Sequence, residues 1–484
     1  MSVRLSKIVK RDLGTDPEIK GVTADSRKVK PGFLFAALPG SRADGAAFAA
    51  KAVEAGAAAV IADQDLNLSV PTVICRDPRR GYALAAANFW GRQPQVCVAV
   101  TGTNGKTSVA NFCRQMFARA GHAAASMGTL GLTVSRPDGT HDQITPPGLT
   151  TPDAGDVAEL LTRVSQLGVT HFAMEASSHG IDQRRLDGVR LAAAGFLNLT
   201  QDHLDYHHTM DAYMKAKLRL FEQLMPRGAT AVLNADSEAF PFFAAASVVS
   251  GQRVMSVGGG GQALKLLERT LLPDGQSLKV RADSQVHDVR LPLAGGFQAS
   301  NALVAAGLCR AAGLSWDEVF AGLEALTGAP GRLQRVGAGP RGGEAYVDYA
   351  HTPDGLETVL KALRPHARGR LVVVFGAGGD RDRGKRPLMG RVAAELADVA
   401  IVTDDNPRSE VPAAIRAEIL AGASGAREIG DRREAIRAAA AMLDDGDVLV
   451  VAGKGHEQGQ IVGDVVHPFD DVQETALALE LVHG

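Results

Sequence analysis

The sequence predicts an α/β protein of three domains. A central P-loop-type doubly wound sheet is flanked by a small N-terminal α/β domain and a C-terminal Rossmann-like α/β domain. Three observations predict this. Strand and helix signals alternate along most of the chain, the pattern of a mostly parallel sheet covered by helices. A Gly-rich loop lies between a strand signal and a helix signal at residues 96–108. The length, 484 residues, is too great for one core and points to roughly two to four domains.

The first domain is read at 1–92. GFLFAAL at 32–38 has strand character, the turn PGSRADG follows at 39–45, and AAFAAKAVEAGAAAVIA supplies an Ala-rich helix and a second strand. Asp25, Ser26 and Arg27 stand just before the first of these strands, where polar residues suit either a ligand or a turn. NFWGRQP at 88–94 reads as a linker.

The central domain is read at 93–330 and opens with VCVAVTGTNGKTS. Val96, Val98 and Val100 form the strand signal, and Val109, Phe112, Met116 and Phe117 have helical spacing. Strict Walker A spacing would need a glycine at Val100, so the motif is the shorter G-T-N-G-K-T. Gly102, Thr103, Asn104, Gly105 and Ser108 can turn backbone N–H groups toward phosphate at a helix N-terminus. Lys106 would reach the outer phosphates of a bound nucleotide, and the Thr107 hydroxyl would ligate Mg²⁺. Further on, Thr150, Thr151 and Asp153 are candidate helix caps. HFAMEAS reads as a strand with Glu175 near its C-terminal end, the edge where such sheets bind ligands. Another strand runs into a loop crowded with Asp202, His203, Asp205, His207 and His208, followed by an amphipathic helix. His203, with Thr107 and Glu175, offers oxygen and imidazole donors to Mg²⁺ at one sheet edge. A helix with two glycines before it carries Asn301 in its first turns.

The third domain is read at 331–484. Four strands each run into charged residues: Asp348, Tyr349 and His351; the glycine loop GAGG with the basic stretch from Arg381 to Arg386; Asp404, Asp405, Asn406 and Arg408; and Gly453, Lys454, His456 and Glu457. Strand ends of this kind describe one functional rim. GAGG is no dinucleotide fingerprint, because G-x-G-x-x-G is missing.

Composition sets outer bounds. Hydrophobic residues make up 45% and charged residues 22%, ordinary for a globular protein. A net charge of −2 gives no bulk attraction to nucleic acid or membrane. No apolar run reaches the roughly 18 residues of a membrane span, and the N-terminus lacks a signal-peptide core, so a cytoplasmic protein is expected. Cys75, Cys97, Cys113 and Cys309 are scattered in apolar contexts and read as buried free thiols.

Taken in order, TGTNGKTS, TTPDA, MEASSHGI, the D-H-L-D-Y-H loop, DYAHTPD, GAGGDRDRGKRPLMG, DDNPR and GKGHE resemble the Mur ligases over essentially the whole chain. The phosphate loop alone would not separate them from folylpolyglutamate synthetases, which have no need of DDNPR. A nucleotide-binding regulator without chemistry would be expected to lack Lys106, Glu175 or His203. The resemblance implies an ATP-dependent amide ligase acting in peptidoglycan synthesis. It adds meso-diaminopimelate to UDP-N-acetylmuramoyl-L-alanyl-D-glutamate and works as a monomer. It implies a contact to the UDP end at Ser26 and substrate contacts at Thr150, Thr151, Ser177, Gln183 and Arg185. Leu149 departs from the family, which often has Asn there. It implies ATP contacts at Asn301, Arg332, Asp348 and His351. Amino-acid contacts are implied at Arg381, Asp405, Asn406, Pro407, Arg408, Gly453 and Glu457. Lys217, in YMKAKLRLF, matches a lysine that the family carries as a carbamate. Unmodified, it has donors only and cannot ligate Mg²⁺, whereas the carbamate has acceptor oxygens.

Overall fold

A computed structural model of the chain describes residues 2–40, 44–272 and 274–481, so part of the expected turn at 39–45 lies outside the described residues. The chain divides into two compact units, Met1–Ala263 with Val304–Val319, and Leu264–Leu303 with Phe320–Gly484.

Besides the short antiparallel pair Val3–Arg4 and Glu18–Ile19, the first unit holds two sheets. The smaller has four parallel strands in the order Gly21–Thr23, Phe33–Ala36, Ala59–Ala62, Thr72–Ile74. Its core includes Leu34, Ala36, Ile61, Tyr82 and Phe89. Ile61 and Ala62 follow the Ala-rich helix, as the sequence pattern requires, but the helix itself is short, Ala49–Glu54. The expected linker at 88–94 is corrected. The helix Pro78–Trp90 runs through its first three residues and stops at Gly91, whose φ of 74° only glycine adopts freely.

The larger sheet of this unit places six parallel strands in the order Ala124–Gly128, His171–Glu175, Val96–Thr101, Ala193–Phe196, Thr230–Asn234, Arg253–Gly258. Two antiparallel strands, Gly131–Ser135 and His141–Thr145, extend one edge. Val96–Thr101 is paired on both sides, with Phe172 opposite Cys97 and Gly195 opposite Val100. The chain first builds one side of this strand and then the other, so its C-terminal end is the switch point where doubly wound sheets open a crevice. Phe112, Phe117, Phe172, Phe196 and Phe221 are fully buried.

The second unit contains an antiparallel meander, Leu264–Leu272, Gly275–Ala282 and Gln285–Leu291. It also contains a six-stranded sheet in the order Gln334–Ala338, Glu344–Asp348, Val448–Ala452, Leu371–Phe375, Val399–Val402, Arg427–Glu428. All its pairs are parallel except the first. Val372, Val373, Val374 and Phe375 are fully buried, as an apolar strand covered on both faces must be. Among the four thiols, Cys97, Cys113 and Cys309 are buried and Cys75 is half-buried.

Candidate active site

In the first unit the helix Lys106–Arg119 begins at Gly105, whose φ is 92°. Gly102 is held close to the next strand end, where an added Cβ would sit 2.8 Å from Leu197 Cβ. Asn198, just beyond the strand Ala193–Phe196, fixes the loop. Its carbonyl accepts from Thr103 N–H at 3.0 Å, and its side chain accepts from Asn104 N–H at 2.9 Å. Lys106 Nζ donates to the carbonyls of Gly102 and Thr103, both at 2.9 Å. Thr107 is half-buried and Ser108 buried.

Lys217 is buried and lies at the same loop. Its Nζ donates to the Gly102 carbonyl at 2.8 Å, so both lysines converge on one oxygen. Burial, then the nearby charge of Lys106, holds the Lys217 amine well below the ordinary lysine value. Lys215, two residues away, is exposed and paired with Asp211. Tyr213, one turn before Lys217, packs its ring 4.4 Å from that Nζ and donates its hydroxyl to Thr103 Oγ1 at 3.3 Å. Sequence reasoning missed Tyr213, although its i, i+4 spacing from Lys217 was available.

Glu175 is buried at its strand end, where Oε1 accepts Thr129 N–H at 2.8 Å. A Cβ on Gly128 would fall 2.0 Å from that oxygen, so the glycine makes room for the carboxylate. His203 has φ 53° and its Nε2 lies 3.4 Å from Asp202. Its ring stands edge-on to His179 at 4.9 Å. Burial, then His203, lowers the His179 pKa. No group of three or more His, Cys, Asp or Glu side chains among the described residues is arranged to hold a metal. The expected donors include only two of those types, plus the Thr107 hydroxyl and a carbamate.

The residues expected at the nucleotide substrate form one network. Thr150 Oγ1 meets Thr129 Oγ1 at 3.0 Å. Thr151 Oγ1 donates to the Glu175 carbonyl at 3.1 Å and meets Ser177 Oγ at 3.0 Å. Ser177 caps the helix Ser178–Asp182 by accepting Gly180 N–H. Arg185 donates to the Thr151 carbonyl and to Gln183 Oε1, both at 2.7 Å. Leu149 is exposed. Ser26 belongs to the small sheet's domain, in the 3₁₀ turn Ser26–Lys28, and among the described residues no hydrogen bond joins it to this network. Its neighbour Asp25 is held at a pKa of about 2 by hydrogen bonds from Arg27.

The second unit gathers two further sets. Asn301 donates to Gln298, which donates to the Arg332 carbonyl at 3.1 Å. The Arg332 guanidinium lies 4.7 Å from the Tyr349 ring centroid. Asp348 accepts the N–H groups of Leu333 and Ala350, yet burial raises its pKa. His351 Nδ1 contacts the Tyr349 carbonyl at 2.8 Å.

The other set surrounds DDNPR. Pro407 and Arg408 lie against the GAGG loop, where a Cβ on Gly379 would sit 1.9 Å from the Pro407 carbonyl. Gly376, whose added Cβ would lie 2.4 Å from the Thr403 carbonyl, and Gly379 therefore serve close backbone approach. Arg408 is half-buried with φ 50°, and its Nη1 donates to the Gly379 carbonyl at 2.8 Å. Arg381 is exposed. The basic stretch splits by role: Arg386 is fully buried between Glu410 and Glu418 and is structural. Gly453 has φ 122°, and a Cβ there would lie 2.6 Å from Asp405 Oδ2. Asn406 is buried and donates to Glu457 Oε2 at 2.8 Å.

Family models match three consecutive stretches. Residues 18–88 match the Mur ligase family catalytic domain, 100–309 the Mur ligase middle domain, and 331–455 the Mur ligase glutamate ligase domain. A relative from Caulobacter vibrioides, a UDP-N-acetylmuramoyl-L-alanyl-D-glutamate--2,6-diaminopimelate ligase, is 69% identical over 482 residues, 99% of each chain. This chain belongs to the Mur ligase family. A ligase of the same description from Brucella melitensis is 54% identical, covering 96% of this chain and 94% of its own. A solved structure, again of such a ligase, superposes with a TM-score of 0.77 at 33% identity and covers all of both chains.

Proposed function

We propose that this Mur ligase joins meso-diaminopimelate to the D-glutamate carboxylate of UDP-N-acetylmuramoyl-L-alanyl-D-glutamate at the expense of ATP, in the cytoplasm and as a monomer. The observation that carries the reading is the convergence of Lys106 and the buried Lys217 on the Gly102 carbonyl. It occurs in a chain so close to ligases of that description. The domains are proposed at 1–92 for the UDP end, 93–330 for ATP and ligation, and 331–484 for the incoming amino acid.

The substrate carboxylate attacks the γ-phosphorus in line, and ADP leaves. The amine then attacks the resulting acyl phosphate, and phosphate leaves. Lys106 and the loop N–H groups offset the charge on the transferring group, so the protein contributes positioning and electrostatics. Thr107, Glu175, His203 and a carbamate on Lys217 have the hydroxyl, carboxylate, imidazole and carbamate oxygens that suit Mg²⁺. The room that Gly128 leaves for Glu175 supports that fit. Mg²⁺, when bound, neutralises phosphate charge. Carbamylation needs a neutral amine, which burial favours: the Lys217 nitrogen bonds to the carbon of CO₂ and releases a proton. Thr150, Thr151, Ser177, Gln183 and Arg185 hold the nucleotide substrate, with Ser26 at its UDP end. Asn301, Arg332, Asp348 and His351 hold ATP. Arg381, Asp405–Arg408, Gly453 and Glu457 hold the amino acid.

The test is phosphate release that requires ATP, the nucleotide substrate and diaminopimelate together. Lys106→Ala should abolish it in a folded protein, removing about 3 kcal/mol or more of transition-state stabilisation. Near-normal kcat in that variant would refute the phosphate-loop assignment.

A further inference from the structure

Lys454 takes no part in the reaction as derived, yet it is buried completely. A lysine without solvent carries a large desolvation penalty unless its partners are well placed. Its Nζ donates to Asn406 Oδ1 at 2.9 Å and to Glu457 Oε2 at 3.3 Å. Asn406 closes the triangle, donating through Nδ2 to the same Glu457 oxygen at 2.8 Å. The Asn406 Oδ1 also accepts Ile461 N–H at 3.0 Å, from the first strand of the hairpin Gly459–Val462 and Val465–Pro468. Gln460 donates to the Asp405 carbonyl at 2.8 Å, and Arg408 N–H to the Ile461 carbonyl at 3.0 Å. The carboxamide of Asn406 is thus fixed in orientation by protein groups.

Two donors grip Oε2 of Glu457, while no hydrogen bond among the described residues engages Oε1. The Glu457 side chain remains about one-third exposed. This is the arrangement that presents one carboxylate oxygen to an ammonium group in a fixed direction. We propose that Lys454 is a positioning residue for the acceptor: with Asn406 it anchors Glu457 Oε2, so that Oε1 receives an ammonium group of the incoming amino acid. The inference rests on the ligase reading above and extends it to a residue outside the expected contact set.

The experiment is steady-state ligation with diaminopimelate by wild type, Lys454→Met and Lys454→Arg, each also in a Glu457→Gln background. Lys454→Met should raise the KM for diaminopimelate on the order of 10- to 100-fold, the range for partners that orient a binding group. The KM values for ATP and the nucleotide substrate should stay unchanged. Lys454→Arg should recover most of the loss, and Lys454→Met should cost little once Glu457 is already Gln. An unchanged KM for diaminopimelate overturns the proposal. So does a full additional loss in the Glu457→Gln background, or equal losses for all three substrates. If Lys454→Met fails to fold, Lys454→Gln carries the same comparisons. Wild type that forms no diaminopimelate product overturns the ligase reading and this proposal with it. Product with unaltered variant kinetics overturns this proposal alone.

Discussion

Replacing Lys217 with alanine separates its chemical role from its structural one. Truncation at Cβ removes three buried methylene groups, a transfer cost of about 2.4 kcal/mol at about 0.8 kcal/mol each. Removing a desolvated amine offsets part of this. The Gly102 carbonyl keeps its bond from Lys106, so no buried acceptor is orphaned. A folded protein with a modestly lowered unfolding midpoint is therefore expected. Turnover should fall much further, by about 10²–10³-fold, the scale of one lost charge-stabilising group at the reacting phosphoryl. Formate or acetate should restore part of it by standing in for the carbamate. A second signature lies in stability. Because the folded Lys217 amine is held well below 10.5, the unfolded chain binds a proton that the folded protein does not. Stability contributed by this residue thus rises with pH across the window that closes near 10.5, and Lys217→Met should lose that slope. Phosphate release under added bicarbonate and thermal unfolding across pH read the two effects. Full activity of Lys217→Ala would refute the reasoning and return Lys217 to an ordinary buried helix residue.

Three further outcomes are expected. Arg408→Ala should raise the KM for diaminopimelate, narrow the preference over L-lysine and leave ATP kinetics alone, because a planar fork suits the distal carboxylate that lysine lacks. Gly379→Ala must displace the Pro407 carbonyl, so acceptor KM should rise with a stability loss of about 1–3 kcal/mol, measured by denaturant unfolding. Asp471→Asn removes the bidentate partner of the fully buried Arg432, at 2.7 and 2.8 Å, and should cost about 3–5 kcal/mol. A shift in unfolding free energy below 1 kcal/mol, on that same scale, would show the pair to be incidental.

Parallel strands such as Leu371–Phe375 and Val448–Ala452 were legible because each is a short apolar run that ends in glycine or charge, as in LVVVF before GAGG. The meander at 264–291 was not, because a register shift between Leu266 and Glu268 breaks the alternation that would announce it. The helix end at Gly91 was misplaced because Asn88, Phe89 and Trp90 look like linker residues, whereas Phe89 is core and Asn88 donates to the Ile8 carbonyl. The strand-end placement of Glu175 and of DDNPR was read from the sequence, and the structure has both at strand ends. Burial decided what composition could not: Arg386 and Arg381 belong to the same basic stretch, yet one is sealed between two glutamates and the other is exposed. Lys454 was visible within GKGHE, but its partner Asn406 is 48 residues away in sequence, and no local pattern joins them.

The central claim is the choice of amino acid. Wild-type enzyme, ATP and UDP-N-acetylmuramoyl-L-alanyl-D-glutamate with equal concentrations of meso-diaminopimelate and L-lysine give a direct competition, read as the ratio of the two product masses. That ratio is the ratio of the two kcat/KM values. The account predicts diaminopimelate product in large excess, up to about 10⁴-fold where a buried polar partner is lost. Comparable amounts of the two products, or an excess of the lysine product, would contradict it.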